Sequence, residues 1–214
     1  MNKLTEQISS IGVVPVIKLN NPERDAANLA KALCAGGIPA AEVTFRAAGA
    51  DKAMATMLET CPDMLVGAGT VLTVEQVKQA HAAGAKFIVS PGFDAKIVEA
   101  TLALDMLPLP GCTTATAIQM ALAYDLEVLK FFPAAQSGGL SMIEALHAPF
   151  SMVKFMPTGG ISLSNLAEFI ASPAIVACGG TYMVKDALIE GGKWDEITDL
   201  CKKSVDIVKA ARNG

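Results

Sequence analysis

Aromatic side chains, charges and long apolar runs are all scarce in this sequence. Aromatic residues make up 5% of the 214 residues and charged residues 18%, against 52% hydrophobic residues. Such a composition excludes a disordered chain and predicts a large aliphatic core, as in strands buried on both faces. Because no apolar run approaches the about 18 residues of a membrane span, the apolar residues indicate a buried core rather than a bilayer.

Histidine, net positive charge and paired cysteines are scarce as well. The net charge of −4 argues against nucleic acid as the main partner. The two histidines, His81 and His147, fall within or beside predicted helices, so we expect no metal site. The five cysteines form no CxxC pair, and the first residues, MNKLTEQISS, lack the apolar core of a signal peptide. We therefore expect free thiols and a cytoplasmic location.

Eight short apolar runs recur at intervals of roughly two dozen residues, the spacing of βα units. They are too short for helices, and most end in Gly, Pro or Thr, as strands do. The predicted strands cover residues 13–19, 40–46, 64–70, 87–92, 107–112, 128–133, 153–160 and 175–180.

Helical patterns separate these strands. Asn21 and Pro22 are typical of an N-cap and a first helical position, and Thr73 with Gln76 forms a capping box. The first dozen residues predict an extra helix before the first strand. Alternating strands and helices imply parallel strands, so we expect an α/β fold: a single (β/α)₈ TIM barrel domain over residues 1–214. A doubly wound open sheet is the competing fold, disfavoured by the regular count of eight and by the lack of GxGxxG after the first strand.

The second predicted strand carries the polar residues Glu42, Thr44 and Arg46 on one face. In this kind of barrel the active site forms at the carboxyl ends of the strands, and charges inside the barrel are costly unless they are paired or functional. A structural Glu–Arg ion pair is the alternative, but the two residues are about 13 Å apart along an extended strand.

The sixth predicted strand places Lys130 on the inward face, since the larger apolar pair Leu129 and Phe131 suits the helix-facing side. A lysine that reaches the strand end or pairs with a carboxylate is the structural alternative. Glu42 is a matching inward partner, and burial favours the neutral amine that Schiff-base chemistry needs. Two other strand lysines compete: Lys154 lies toward the opposite end of the barrel, and Lys18 stands at a strand end with polar neighbours.

Glycine pairs follow the last two predicted strands. Gly159 and Gly160 stand beside Thr158 at the end of the seventh, and Gly179 and Gly180 stand before Thr181 at the end of the eighth. Loops at these two positions form the recurrent phosphate site of such barrels, because glycine lets backbone N–H groups approach an anion. Tight turns without a ligand are the alternative interpretation. The segments GAGT, SPG and PGCTT end the third, fourth and fifth strands and leave room for a ligand.

The motifs EVTFR, GAGTVL, SPG, KFFPA and PTGGIS, in this order and spacing, resemble the 2-keto-3-deoxy-6-phosphogluconate (KDPG) and 4-hydroxy-2-oxoglutarate (KHG) aldolases. The resemblance covers nearly the whole chain. It implies a class I aldolase of the Entner–Doudoroff pathway, cytoplasmic and homotrimeric, that needs no metal or other cofactor. Its small-molecule partners would be a 2-keto-3-deoxy sugar acid phosphate and pyruvate.

The resemblance also implies roles for individual residues. Lys130 would form the Schiff base and Glu42 would move protons. Arg46 and Thr70 would hold the pyruvyl carboxylate, and Pro91 and Phe132 would shape the pocket. The phosphate would lie against the late loops, at Thr158, Gly159, Gly160, Gly180 and Thr181.

The sequence departs from the family pattern at three places. Thr181 replaces a common serine, Ala47 and Ala48 follow Arg46 where threonine is usual, and PGCTT replaces PGIST. Thr181 keeps the hydroxyl, but the other two departures lie by the pocket and leave the preferred substrate open, including the C4 epimer cleaved by 2-keto-3-deoxy-6-phosphogalactonate aldolases. An epimerase-like phosphate-binding barrel enzyme and a non-catalytic binder of sugar acid phosphates are further alternatives, although the metal-binding His and Asp of such epimerases are missing.

Overall fold

The computed structural model describes residues 3–213, so Met1, Asn2 and Gly214 of the expected domain lie outside the described residues. All eight predicted strands are present, and each is shorter than its apolar run. The last begins three residues later than predicted, at Cys178. The strands are β1 (Val13–Ile17), β2 (Ala40–Thr44), β3 (Leu65–Gly69), β4 (Phe87–Ser90), β5 (Leu107–Pro110), β6 (Val128–Phe131), β7 (Lys154–Pro157) and β8 (Cys178–Gly180).

The predicted extra helix before the first strand is present as α1 (Lys3–Ile11). Two predicted helix starts are confirmed: the Asn21 side chain accepts from the Arg24 N–H at 3.2 Å, and Thr73 accepts from the Gln76 N–H at 3.2 Å. The other helices are α2 (Pro22–Ala35), α3 (Ala50–Thr60), α4 (Val74–Ala82), α5 (Ala95–Leu102), α6 (Ala115–Leu122), α7 (Gly139–His147), α8 (Leu166–Ala171), α9 (Asp186–Glu190) and α10 (Trp194–Asn213).

The strands form a curled parallel sheet of six, in the order β5-β4-β3-β2-β1-β8, and a separate parallel pair, β6-β7. The expected eight-stranded barrel is therefore not present as one continuous hydrogen-bonded sheet. Isolated bridges connect the two parts, at Gly111 and Lys130 on one side, and at Phe155 with Ile175 and Thr158 with Gly179 on the other. The fold is an α/β half-barrel with a two-stranded element across its opening.

Two prolines in β5 explain the reduced pairing with β6. Leu107 and Gly111 donate their N–H groups to the β4 side, at Lys86 and Ser90. Alternation directs the N–H positions of residues 108, 110 and 112 toward β6. Residues 108 and 110 are prolines and have no N–H. Only Cys112 donates across, to the Lys130 carbonyl at 2.9 Å.

The core is mostly aliphatic, as its composition predicts, with Phe87, Phe131 and Phe155 as the largest fully buried side chains. The rings of Phe131 and Phe155 meet edge to face with centroids 6.0 Å apart. None of the helices within residues 3–213 combines the length and apolar character needed to cross a bilayer.

Replacement of Gly67 by alanine should destabilise the protein. A Cβ atom at position 67 would lie 2.3 Å from the ring of Phe87, which is fully buried between neighbouring strands. Overpacking of this kind costs about 1–3 kcal/mol. We expect Gly67→Ala to lower the free energy of unfolding by that amount in urea titrations. The matched control is Gly92→Ala, where no atom lies within 4 Å of the added Cβ. Equal stabilities of the two variants would contradict the packing argument.

Candidate active site

The carboxyl ends of the strands surround a cavity of about 190 Å³. Of the predicted site residues, Gly160 and Gly180 do not line it, whereas the other nine do. Val16 of β1 is an additional lining residue that no sequence motif indicated. The lining is Val16, Glu42, Arg46, Thr70, Pro91, Lys130, Phe132, Thr158, Gly159 and Thr181.

A buried amine and a buried carboxylate meet in this cavity. The Nζ atom of Lys130 donates to Oε1 of Glu42 at 3.2 Å. Lys130 is 5% exposed and Glu42 is 0% exposed. The ring of Phe132 lies 5.1 Å from the same Nζ atom, within cation–π range. The site therefore holds a potential nucleophile, a proton acceptor in direct contact with it, and an aromatic face beside it.

Glu42 fits its position because residue 69, on the neighbouring strand β3, is a glycine. A Cβ atom at Gly69 would lie 2.3 Å from Oε1 of Glu42. The second carboxylate oxygen of Glu42, Oε2, is buried and has no hydrogen-bond partner among the described residues. Since a buried acceptor is normally satisfied, this oxygen suits a substrate hydroxyl or a water molecule. GAGT was predicted to end a strand and to leave room for a ligand, and the contact of its second glycine with Glu42 was missed.

Arg46 lies just beyond the end of β2, with its side chain exposed at the cavity. Its Nε donates to the Thr44 hydroxyl at 3.2 Å, and that hydroxyl donates to the Ile17 carbonyl at 2.8 Å. Because a hydroxyl has one proton, the Ile17 contact leaves the oxygen of Thr44 free to accept from Arg46. Within residues 3–213 Arg46 forms no ion pair, so the alternative of a structural Glu42–Arg46 pair is wrong. Its charge remains free to bind an anion.

Two threonines of the lining are also unusual, one in its backbone and one in its hydroxyl group. Thr70 adopts a left-handed backbone with φ of 53°, which is rare for a β-branched residue and costs about 1–3 kcal/mol. The Thr158 hydroxyl is buried without a hydrogen-bond partner among the described residues. Strain and an unsatisfied polar group at one cavity are both typical of a binding site.

The glycines of the late loops divide into two groups. Gly159 lines the cavity, and its φ of 95° is a conformation that other residues rarely adopt. At Gly160 an added Cβ would meet Cβ of Ala135 at 2.5 Å, and at Gly180 it would meet the Tyr182 ring at 2.9 Å. Packing therefore accounts for glycine at position 180, and packing together with a φ of 85° accounts for glycine at position 160.

This cavity is not lined by the two competing strand lysines, by Cys112 or by His147. Lys154 begins β7, at the opposite end from the cavity, and Lys18 forms an ion pair with Asp186 at 3.5 Å. Burial raises the pKa of the Cys112 thiol to about 12, which leaves almost no thiolate near neutrality. His147 ends α7 and contacts the Val153 carbonyl. Between residues 3 and 213 no group of three or more His, Cys, Asp or Glu side chains could hold a metal ion.

Comparison with known proteins agrees with the geometry. The family model for KDPG and KHG aldolases matches residues 4–200. The chain belongs to this aldolase family. It is 46% identical to the 2-dehydro-3-deoxy-phosphogluconate aldolase of Treponema pallidum, over 97% of this chain and 99% of that one.

Solved structures of aldolases of this family also resemble the chain. One is the KDPG aldolase of Legionella pneumophila with pyruvate captured at low pH as a covalent carbinolamine intermediate. It is 38% identical, with a TM-score of 0.89 over 94% of this chain and 97% of that one. Another is the aldolase of Zymomonas mobilis with 3-phosphoglycerate, 33% identical, with a TM-score of 0.89 over 95% of both chains.

Proposed function

We propose that this protein is a class I aldolase that cleaves 2-keto-3-deoxy-6-phosphogluconate to pyruvate and glyceraldehyde 3-phosphate. It would also cleave 4-hydroxy-2-oxoglutarate to pyruvate and glyoxylate. The observation that carries the proposal is the contact of 3.2 Å between the buried Lys130 amine and the Glu42 carboxylate. Family membership and the carbinolamine of the Legionella aldolase support the same chemistry.

Covalent bond formation begins with a proton transfer between these two groups. In contact with Lys130, Glu42 accepts a proton from the ammonium and leaves a neutral amine. The amine attacks the C2 ketone of the substrate and forms a carbinolamine. Glu42 then returns its proton to the carbinolamine hydroxyl, which leaves as water and gives an iminium, whose positive nitrogen withdraws electrons from C3. The ring of Phe132 stabilises this cation through its π face.

Carbon–carbon cleavage requires a base near the C4 hydroxyl. Glu42 removes the C4 hydroxyl proton, through a bridging water, and the C3–C4 electron pair moves toward the iminium to form an enamine. The aldehyde leaves, Glu42 returns a proton to C3, and water releases pyruvate from Lys130. The buried Oε2 of Glu42 without a protein partner supports this role.

Binding is assigned to the rest of the lining. Arg46 and Thr70 hold the pyruvyl carboxylate, with Arg46 as the charged partner. Pro91 and Phe132 shape the pocket. The phosphate is assigned to the late loops, and the position of Thr158, Gly159 and Thr181 in the cavity lining supports this. Gly160 remains in the assignment through its backbone N–H group only. The N–H of Gly180 faces β1, so Gly180 remains only through its place directly before Thr181.

The same proposal covers the complete barrel, the oligomeric state, the cellular location and the need for a cofactor. We infer one closed (β/α)₈ barrel domain, and the three isolated bridges on the two sides of the β6-β7 pair support it. The proposed homotrimer is supported by exposed apolar side chains such as Leu72 and Met120, 58% and 47% exposed. Light scattering should then give three times the chain mass of 22.2 kDa.

Five free thiols support a cytoplasmic location. The proposed mechanism uses the amine of Lys130 and needs no cofactor.

The alternatives differ in measurable ways. A coupled assay with the gluconate, galactonate and hydroxyglutarate substrates distinguishes the two C4 epimers. We expect the highest kcat/KM with the phosphogluconate substrate, and a preference for the galactonate epimer would overturn that choice. Loss of activity in EDTA would favour an epimerase-like enzyme. Thermal stabilisation by ligand without imine trapping would favour a non-catalytic binder.

Borohydride with pyruvate should attach the reduced three-carbon acid to Lys130. The adduct forms because reduction makes the iminium bond permanent. Peptide mass spectrometry locates the modified residue. Lys130→Met should abolish labelling, whereas the matched variant Lys154→Met should keep it. An adduct on another lysine, or none in the wild type, would reject the assignment.

Glu42→Gln should separate covalent capture from turnover. Glutamine keeps the size of the side chain but cannot accept and return a proton, so we expect kcat to fall by about 100-fold or more. The borohydride adduct with pyruvate should still form on prolonged incubation. Glu99→Gln, which changes an exposed carboxylate that accepts from Tyr124, is the control. Normal turnover in Glu42→Gln would remove Glu42 from the mechanism.

A further inference from the structure

A second cavity of about 440 Å³ adjoins the first one. The two share three lining residues, Val16, Arg46 and Thr181. The second cavity is otherwise lined by Lys18, Val184, Lys185 and Asp186. We call this second cavity the basic bay. A ligand that fills the first cavity can therefore extend into the basic bay without leaving the protein surface.

The basic bay is positively charged in a protein that is negative as a whole. Lys18, Lys185 and Arg46 line it together with one carboxylate, Asp186, whereas the chain carries −4. The ion pair of Lys18 with Asp186 is 3.5 Å long, and both side chains are exposed, by 36% and 52%. Exposed pairs of this kind are weak, so Lys18 is available to a competing anion.

The substrate assigned by the proposed function, on which this step rests, carries more negative charge than the first cavity can balance. In that cavity Lys130 and Glu42 neutralise each other, and Arg46 provides one further positive charge. A sugar acid phosphate carries one carboxylate and a phosphate of about −1.5 to −2. Arg46 is matched by the carboxylate, and the phosphate is left with neutral groups such as Thr158, Thr181 and glycine N–H.

We propose that Lys18 and Lys185 attract the phosphate end of the substrate through the basic bay. They thereby make this enzyme favour phosphorylated 2-keto acids over unphosphorylated diacids such as 4-hydroxy-2-oxoglutarate. Thr181 lies at the border of the two cavities, so a phosphate held there is beside the basic bay. The two lysines are specificity-determining groups and take no part in bond cleavage.

The test is a ratio of two specificity constants. For wild type, Lys18→Met, Lys185→Met and the double variant, kcat/KM is measured with the phosphogluconate substrate and with 4-hydroxy-2-oxoglutarate. Two exposed charges contribute modestly, so we expect the ratio to fall by about fivefold or more in the double variant, mainly through KM. Asp186→Asn, which removes the only carboxylate of the bay lining, should raise the ratio.

The matched control is Lys86→Met. Lys86 is an exposed lysine directly before β4, at the opposite end of the sheet, and the ratio should not change there. Added salt should lower the wild-type ratio and affect the double variant less, because screening acts on exposed charges. An unchanged ratio in the double variant, or an equal loss with both substrates, would overturn the proposal.

Failure of the proposed function gives a different result. In that case the wild type forms no borohydride adduct and cleaves neither substrate. Calorimetric binding of inorganic phosphate then tests the basic bay without catalysis. Binding that weakens in the double variant but not in Lys86→Met supports the bay, and identical binding in all three proteins rejects it.

Discussion

The contact between Lys130 and Glu42 is the interaction on which the rest of the site depends. Glu42 stands on β2 of the six-stranded sheet and Lys130 on β6 of the separate pair. With almost no exposure, each charge is costly without the other, because a buried charge that loses its partner is strongly unfavourable. The pair therefore requires the two parts of the sheet to remain together, although their backbones share few hydrogen bonds.

Small residues provide the space that this pair needs. On β3, Gly67 accommodates the ring of Phe87, and two residues later Gly69 accommodates the carboxylate of Glu42. Both glycines stand beside β2, whose Glu42 pairs in register with Gly67. The same short strand thus serves the core and the site, and a larger residue at either position forces a buried group to move. The sequence GAGT reflects packing as much as the turn that follows it.

Local signals made much of the fold predictable, and non-local contacts explain most of what was missed. Apolar runs and capping residues gave eight strands and the helix starts at Asn21 and Thr73, and alternation placed Lys130 and Glu42 on inward faces. The break between β5 and β6 arises because Pro108 and Pro110 stand where a strand residue would donate its N–H to β6. No sequence pattern shows which neighbouring strand these two positions face. Likewise, the need for Gly69 exists only because Glu42 packs against it.

The charged groups assigned to catalysis and those assigned to binding differ in how deeply they are buried. Lys130 and Glu42 are buried and form a pair with no net charge, so they contribute little to the field outside the protein. Arg46, Lys18 and Lys185 lie nearer the surface, where their fields reach an approaching anion. Burial permits proton transfer between two groups in contact, and exposure permits attraction over a distance. A substrate with two negative ends suits this arrangement, because its reactive carbon reaches the buried pair while its charges remain at the rim.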